Sequence, residues 1–573
     1  MKLTFVYTLL FVKLAWLSAD NTKWITSNEF YQLVAQFKSS SSHVIIDTRS
    51  SNEYNGWKSF DALFSTGFDF NQTGLATLYD LKSGHVTNSL NLDADWIHLF
   101  ESELKHTIET RLGLSADGQK KSIIVYDRNK ERVEKVQQYL NANFNLDLVY
   151  LCKLTDDELS RFVLTSNVTG NLFFQEPFYD QLLSPEALYA ILRPFNDSYV
   201  VNTKPVTDYF LFEVGPENTY EQSHIPTAVH FKIEDLMSGG TRKPKQQLAK
   251  ALLSYGILPY NVEMVILYGN PDPMPAYRVA IIMKSMGVKE VRVLNGGFRT
   301  WLIKNYPLET YRTKGYSVKN RIPENLKLYE EQSQLALTPI NYMVDESYVA
   351  DLVKNRHVFN EQYQLVDIRT YEEFAGEQTG YAGVKYKGRI PGSFWGKAGT
   401  GPNELEEYRN LDYTMRSGAD ILRMWDELGI DYKKKNLIFY CGNGMRSAEV
   451  MFYAEVIGMY KISMYDGGWM DWSANKKNVF QLGAQEDDDV DVFENYKTTA
   501  ASTTLSLTTL PSEVLAPNNK INSTSGTTQK STQNSVDIFY KNQFDSVTAD
   551  PSHASQLKFS HFALIFISLV ILF

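Results

Sequence analysis

The stretch FYCGNGMRSAEV, residues 439 to 450, sets a cysteine between an apolar run and a helical pattern, and that cysteine is one of two in a chain of 573 residues. A thiolate rather than a thiol is the nucleophile, and an unperturbed cysteine is only slightly ionised at neutral pH. The surroundings of Cys441 supply three ways to favour the anion. Gly442 and Gly444 allow the backbone to curl, so that the amides of Gly442, Asn443, Gly444, Met445 and Ser447 can form a nest facing the sulfur. A helix expected to begin near Ser447 offers its positive end. Arg446 closes the loop with a fixed charge. The chemistry implied is nucleophilic attack by sulfur, with anion stabilisation built from main-chain donors.

Positioning such a loop needs a strand before it and a helix after it, and the chain repeats that arrangement. SIIVYD, MVILYG and NLIFYC are apolar runs that place Asp127, Gly269 and Cys441 at one position, the carboxyl end of a strand. An earlier run in each copy, SSHVIIDTRS, DSYVVNTKPV and EQYQLVDIRT, ends in Asp47, Asn202 and Asp367. Between the two runs come SGHVTNSLNL, QSHIPTAVHF and KGRIPGSFWG, and the offset from Asn202 to His224 equals that from Asp367 to Arg389. LDLVYLCKL, VRVLNGGFRTW and ISMYDGGWMDW then read as a last strand and a turn, with Cys152 standing where the other copies have Asn295 and Asp466. Strand runs alternating with helical runs such as YRVAIIMKSMGV predict parallel sheets with helices on both faces, in which reactive groups gather outside the carboxyl ends of the strands. The fold class is therefore α/β, three tandem α/β/α domains with parallel central sheets, at about 23–165, 180–312 and 338–482.

With four motifs in register, LVDIRTYEEF, KGRIPGSFW, FYCGNGMRSAE and YDGGWMDW, the chain resembles the rhodanese superfamily, with three tandem rhodanese-like modules. The third module carries the resemblance most fully. The first is the most diverged, with DRNKER as its loop and no glycine pair after its last strand. The resemblance implies that Cys441 takes a sulfane sulfur from an anionic donor of the thiosulfate or 3-mercaptopyruvate class, becomes a persulfide and passes the sulfur to a thiol or cyanide. No metal or organic cofactor is implied. Four residues separate Cys441 from Arg446, the loop length of sulfurtransferases, whereas related phosphatases carry one more. The loop lacks the second cation of thiosulfate-preferring members and does not match the mercaptopyruvate loop. Where two-domain members place a donor-binding arginine, six residues beyond the first-strand aspartate, this chain has Glu373. Arg389 and Lys387 are candidates to replace that charge, against a plain role in a turn and a surface ion pair. Asp367 and Arg369 are weighed between pinning the first strand and touching substrate. Asp127, despite Arg132 five residues on, and Gly269 have no sulfur to offer, so modules 1 and 2 are expected to be inactive and to pack against the third or shape its cleft. The alternative to an enzyme is a non-catalytic surface protein built from these modules.

The ends of the chain predict location. MKLTFVYTLLFVKLAWLSAD reads as a signal peptide, 1–19. FALIFISLVILF, residues 562 to 573, is too short to cross about 30 Å of hydrocarbon as a helix and reads, with the polar residues before it, as a glycosylphosphatidylinositol attachment signal over 551–573. Residues 483–550, an acidic run and then Ser/Thr-rich chain, read as a disordered stalk. Sequons at Asn71, Asn167, Asn196 and Asn522 agree with export, and two cysteines make no disulfide framework. The expected place is the cell surface, plasma membrane or wall, through a lipid anchor. A net charge of −10, with no block of Lys or Arg, argues against nucleic acid as a partner.

Overall fold

In the computed structural model the described residues fall within 22–159, 178–310 and 342–492, the main gaps being 38–42, 55–84, most of 98–121, 193–208, 258–263, 356–360 and 484–489. The expected leader, the Ser/Thr-rich stretch, the tail and the four sequon asparagines lie outside them.

Three five-stranded sheets, all parallel, repeat one topology. In the first, β1 (Thr22–Trp24), β2 (His43–Asp47), β3 (Ser89–Asn91), β4 (Ser122–Asp127) and β5 (Val149–Lys153) lie in the order β1-β5-β4-β2-β3. The second has β6 (Leu182–Leu183), β7 (Tyr209–Val214), β8 (Val229–Phe231), β11 (Met264–Gly269) and β12 (Val291–Leu294), ordered β6-β12-β11-β7-β8. A separate hairpin of β9 (Met237–Ser238) and β10 (Thr241–Arg242) stands apart from that sheet. The third has β13 (Met343–Val344), β14 (Tyr363–Asp367), β15 (Phe394–Trp395), β16 (Asn436–Tyr440) and β17 (Ile462–Tyr465), ordered β13-β17-β16-β14-β15. The central strands β4, β11 and β16 are nearly continuous apolar runs because helices cover both faces of a parallel sheet. Each central strand delivers the chain to a helix: α1 (Lys130–Asn143), α2 (Met274–Ser285) and α3 (Met445–Val456).

One buried pairing marks all three modules. The last tyrosine of each central strand lies against the acid that ends or nearly ends its neighbour. Tyr126 donates to Asp47 at 2.7 Å, Tyr440 to Asp367 at 2.6 Å, and Tyr268 faces Glu213. The same hydroxyls accept the amides of Val86 (3.1 Å), Ile225 (3.0 Å) and Ile390 (3.3 Å), which fixes the His85, His224 and Arg389 turns as equivalent. The second module departs from the sequence expectation here. Its strand beside β11 is Tyr209–Val214, with Tyr268 opposite Glu213, and not the DSYVVNTKPV run, so Glu213 rather than Asn202 matches Asp47 and Asp367. Cys152 is likewise out by one. Tyr126 pairs with Cys152 and Asp127 with Lys153, so Lys153 occupies the place of Asn295 and Asp466. Because side chains alternate along a strand, that shift turns Cys152 into the core with Phe30 and Tyr126. There burial pushes its thiol up to about 12.

Modules 2 and 3 share a core. Helix α3 is buried on nearly every side because its outer face meets α2, with Leu267, Ile281, Phe439 and Phe452 in one cluster and the rings of Tyr277 and Phe452 edge to face at 5.3 Å. Polar links cross the same boundary: Arg409 pairs with Glu449 of α3 at 2.5 Å and with Asp272 before α2 at 3.1 Å. Module 1 meets module 3 through a buried His85–Asp420 contact at 2.9 Å and through Leu411, which joins its core. The third module also runs past residue 482: Val490–Val492, inside the acidic run expected to be stalk, pairs antiparallel with Val479–Gln481.

Candidate active site

Cys441 follows β16, the central strand of the third sheet. Gly444 adopts a left-handed conformation (φ 85°) that turns its amide back to donate to the Cys441 Sγ at 3.2 Å. A Cβ there would stand 2.7 Å from the Asp466 carbonyl oxygen and 2.8 Å from Arg278. Helix α3 begins at Met445, two residues before the expected start, and Ser447, now in its first turn, brings a hydroxyl to 3.6 Å from Sγ. Sulfur therefore sits at a helix N-terminus with a main-chain and a side-chain donor aimed at it, a place suited to a thiolate or to a terminal persulfide anion.

Around the loop the charges are matched. Arg446, fully buried, gives both terminal nitrogens to Glu373, at 2.9 and 3.1 Å, and Glu373 is buried as completely. Burial acts to raise the Glu373 carboxyl, yet the Arg446 charge and hydrogen bonds hold it below the ordinary carboxylate range. Burial opposes the Arg446 charge too, but the facing Tyr381, Glu373 and Cys441 raise it overall. Glu373 is fixed a second time, since with Thr370 it forms the capping box of the helix Tyr371–Ala375. Tyr381 lies across Gly442 so closely that a Cβ there would overlap its ring, and the Arg446 guanidinium stands 5.3 Å from the ring centre. From module 2, Arg278 donates to Asp466 at 2.5 Å, Arg242 donates its amide to the same carboxylate at 2.9 Å, and Gly240 at the tip of the β9–β10 hairpin faces Met470 and Asn443.

Several candidates from the sequence fall elsewhere. Asp367 and Arg369 are fully buried and bonded to each other at 2.8 and 2.6 Å, and Arg369 also holds the Gly388 carbonyl at 2.9 Å, so they pin the β14 turn rather than face a donor. Arg389 is buried as well. Its backbone bridges to Gln481, and its guanidinium donates to Gly483 and covers the Phe374 ring, an anchor for the closing strand and not a donor site. Lys387 is exposed. Of the predicted loop, the structure brings Cys441, Gly444 and Ser447 together and turns Arg446 to Glu373. Asp127 bonds Thr48 at 2.6 Å and faces its own Arg132 at 3.3 Å, and Gly269 packs against Asp272 and Pro273. Sequence reading passed over Tyr381, whose signal was an aromatic set between glycines in TGYAG, and saw Glu373 only as a missing arginine.

The model of the Rhodanese-like domain matches three times, over residues 28–153, 200–304 and 349–475. The chain belongs to the rhodanese family. Thiosulfate sulfurtransferase YnjE of Escherichia coli strain K12 is 32% identical over 456 residues, covering 77% of this chain and 90% of that one. Sulfur carrier protein TtuD of Thermus thermophilus is 26% identical over 275 residues, 44% of this chain and 83% of its own. The crystal structure of YnjE superposes with a TM-score of 0.53 at 28% identity, over 82% of this chain and 98% of that one. A variant of EanB in complex with ergothioneine does so with a TM-score of 0.54 at 26% identity, over 81% and 100%. This rhodanese is accordingly a rhodanese-like transferase, and its kin include proteins named for sulfur transfer and sulfur carriage.

Proposed function

We propose that the third module passes sulfane sulfur through a persulfide on Cys441, from a donor of the thiosulfate or 3-mercaptopyruvate class to a thiol or cyanide. The Cys441 thiolate attacks the outer sulfur of the donor, the bond between that sulfur and the rest of the donor breaks, and the leaving group departs with the electron pair. A nucleophilic acceptor then takes the outer sulfur and restores the thiolate. The observation that carries this reading is the pair of donors, the Gly444 amide at 3.2 Å and the Ser447 hydroxyl at 3.6 Å, aimed at one sulfur at a helix N-terminus. They stabilise the anion before transfer and the persulfide after it. Modules 1 and 2, with Asp127 and Gly269 at the same strand end, serve as support. Purified protein given thiosulfate or 3-mercaptopyruvate with cyanide should form thiocyanate, and Cys441→Ser should not. Equal, slow turnover by both proteins would favour a scaffold instead. The leader and tail support a lipid-anchored protein at the cell surface, a reading tested by release from membranes with a phosphatidylinositol-specific phospholipase. Retention in the membrane fraction after treatment would count against it.

A further inference from the structure

Anion recognition by an arginine depends on a free fork of N–H groups that two oxygens can share. In this loop the fork is taken. Both Arg446 terminal nitrogens face Glu373, one of them also reaches the Gly401 carbonyl at 3.3 Å, and only Nε has no hydrogen-bond partner among the described residues. The neighbouring cations are matched in the same way, Arg278 with Asp466 at 2.5 Å and Arg369 with Asp367 at 2.6 Å. When Cys441 is ionised, the group formed by Cys441, Arg446 and Glu373 carries one net negative charge.

We propose that Glu373 sets the donor class of this site: by occupying the Arg446 guanidinium it disfavours the thiosulfate dianion and selects a sulfane sulfur whose reacting end is neutral or singly charged, a thiol-borne hydropersulfide. The inference rests on the persulfide reading above and departs from it in the donor, a hydropersulfide loading Cys441 fast where thiosulfate loads it slowly. With a hydropersulfide, the Cys441 thiolate attacks the terminal sulfur, the donor S–S bond breaks, and a thiolate leaves with the bonding pair while the proton stays on the transferred sulfur. One negative charge is present before the step and one after it. With thiosulfate, sulfite is the leaving group and three negative charges must gather at a buried sulfur whose neighbouring cations are already paired with carboxylates. Like charges at such separations repel strongly in a poorly hydrated site.

The test compares loading of Cys441, followed by intact mass, from cysteine hydropersulfide and from thiosulfate. Glu373→Gln keeps the volume and the capping box and frees one positive charge. The ratio of thiosulfate to hydropersulfide loading rates should rise by about tenfold or more, the scale of one unit charge acting on a dianion at a buried site. A purely structural role for Glu373 would slow both donors together and leave the ratio where it was, which would overturn the proposal. A second measurement needs no variant: in the wild-type protein a large excess of thiosulfate should leave hydropersulfide loading unslowed, and competition by thiosulfate would overturn it too. Failure of both donors to place sulfur on Cys441 is a separate outcome, which removes the transfer reading and this inference with it.

Discussion

The first and third modules make the same turn around different atoms. Asp127 and Cys441 both follow a tyrosine at the end of a central strand, and both have an arginine five residues on, Arg132 and Arg446. Both arginines meet a capping-box glutamate, on the short helix after β2 in the first module and after β14 in the third. Glu53 caps with Ser50 and faces Arg132 at 3.5 Å, while Glu373 caps with Thr370 and faces Arg446 at 2.9 Å. The arginine–glutamate pair is thus shared by modules 1 and 3, and in module 1 it is present where no sulfur can be carried. The difference lies in what remains for the strand-end residue. In module 1, Asp127 brings its own charge and Arg132 is shared among Asp127, Asp93 and Glu53, partly open to solvent. In module 3 a cysteine replaces the aspartate, the arginine–glutamate pair is buried out of solvent, and the sulfur is left to backbone and hydroxyl donors. A catalytic loop here is a structural turn whose strand-end carboxylate has become a thiol and in which Gly442 and Gly444 stand where the first module has Arg128 and Lys130.

The comparison can be broken most severely at the arginines. Arg446→Met should cost about 3–5 kcal/mol of stability, the usual scale for stranding one partner of a buried ion pair, whereas Arg132→Met at the half-open equivalent should cost about 1 kcal/mol. Denaturant unfolding of the two variants measures the gap, and equal losses would erase the distinction drawn between the sites. The middle module supplies the next largest effect. Glu213 has Asn270 at 3.0 Å, Gly215 stands where Asp47 and Asp367 have their arginines, no arginine pairs with it among the described residues, and burial pushes its carboxyl up to about 7. The folded state therefore keeps a proton that the unfolded chain releases near pH 4.5. This contribution is complete below about pH 4.5 and is lost as the pH rises through 7, up to about 3 kcal/mol in all. Glu213→Gln should flatten that fall, as seen by melting at pH 5 and pH 8, and an unchanged slope would place the titration elsewhere.

Gly444→Ala probes one of the two glycines that the first-module turn lacks. Left-handed backbone at a non-glycine residue and the approach of Asp466 and Arg278 should together cost about 2 kcal/mol and slow sulfur loading by about tenfold, because the amide facing Sγ must shift. The smallest effect is a null one. Asp127→Cys should acquire no sulfur, since the first-module turn has Arg128 and Lys130 in place of the glycines, and Asn129, at φ −103°, caps α1 with its side chain instead of an amide turning inward. Loading at that cysteine would show that the turn alone suffices.

Much of this was readable from the chain, for physical reasons. The parallel sheets follow from apolar runs that alternate with helical ones, and Cys441 was placed at a strand end by repetition alone. Glycines at 442 and 444 announced a backbone curl, because few other residues can make one. What escaped was settled by partners distant in sequence. DSYVVNTKPV has strand-like residues and the expected spacing from its polar end to His224, yet YFLFEV pairs with β11 because it aligns Glu213 with Tyr268. A single residue of register moved Cys152 from the loop to the core. For Asp367, Arg369 and Arg389 the sequence leaves a turn-holding role and a donor-binding role both open, and the partners that each finds inside the fold favour the first. Glu373 appeared as a departure from a pattern, and its meaning emerged only when Arg446 turned toward it across 73 residues of sequence.

The central claim is that one sulfur atom, at the carboxyl end of the central strand of the third module, carries another. Mass analysis of the intact protein after exposure to a sulfane donor, followed by peptide mapping, tests it most directly. The account predicts one added sulfur, located on Cys441, removed by cyanide and missing from Cys441→Ser. A wild-type protein that never gains that sulfur, or a serine variant that gains it equally, would contradict the account.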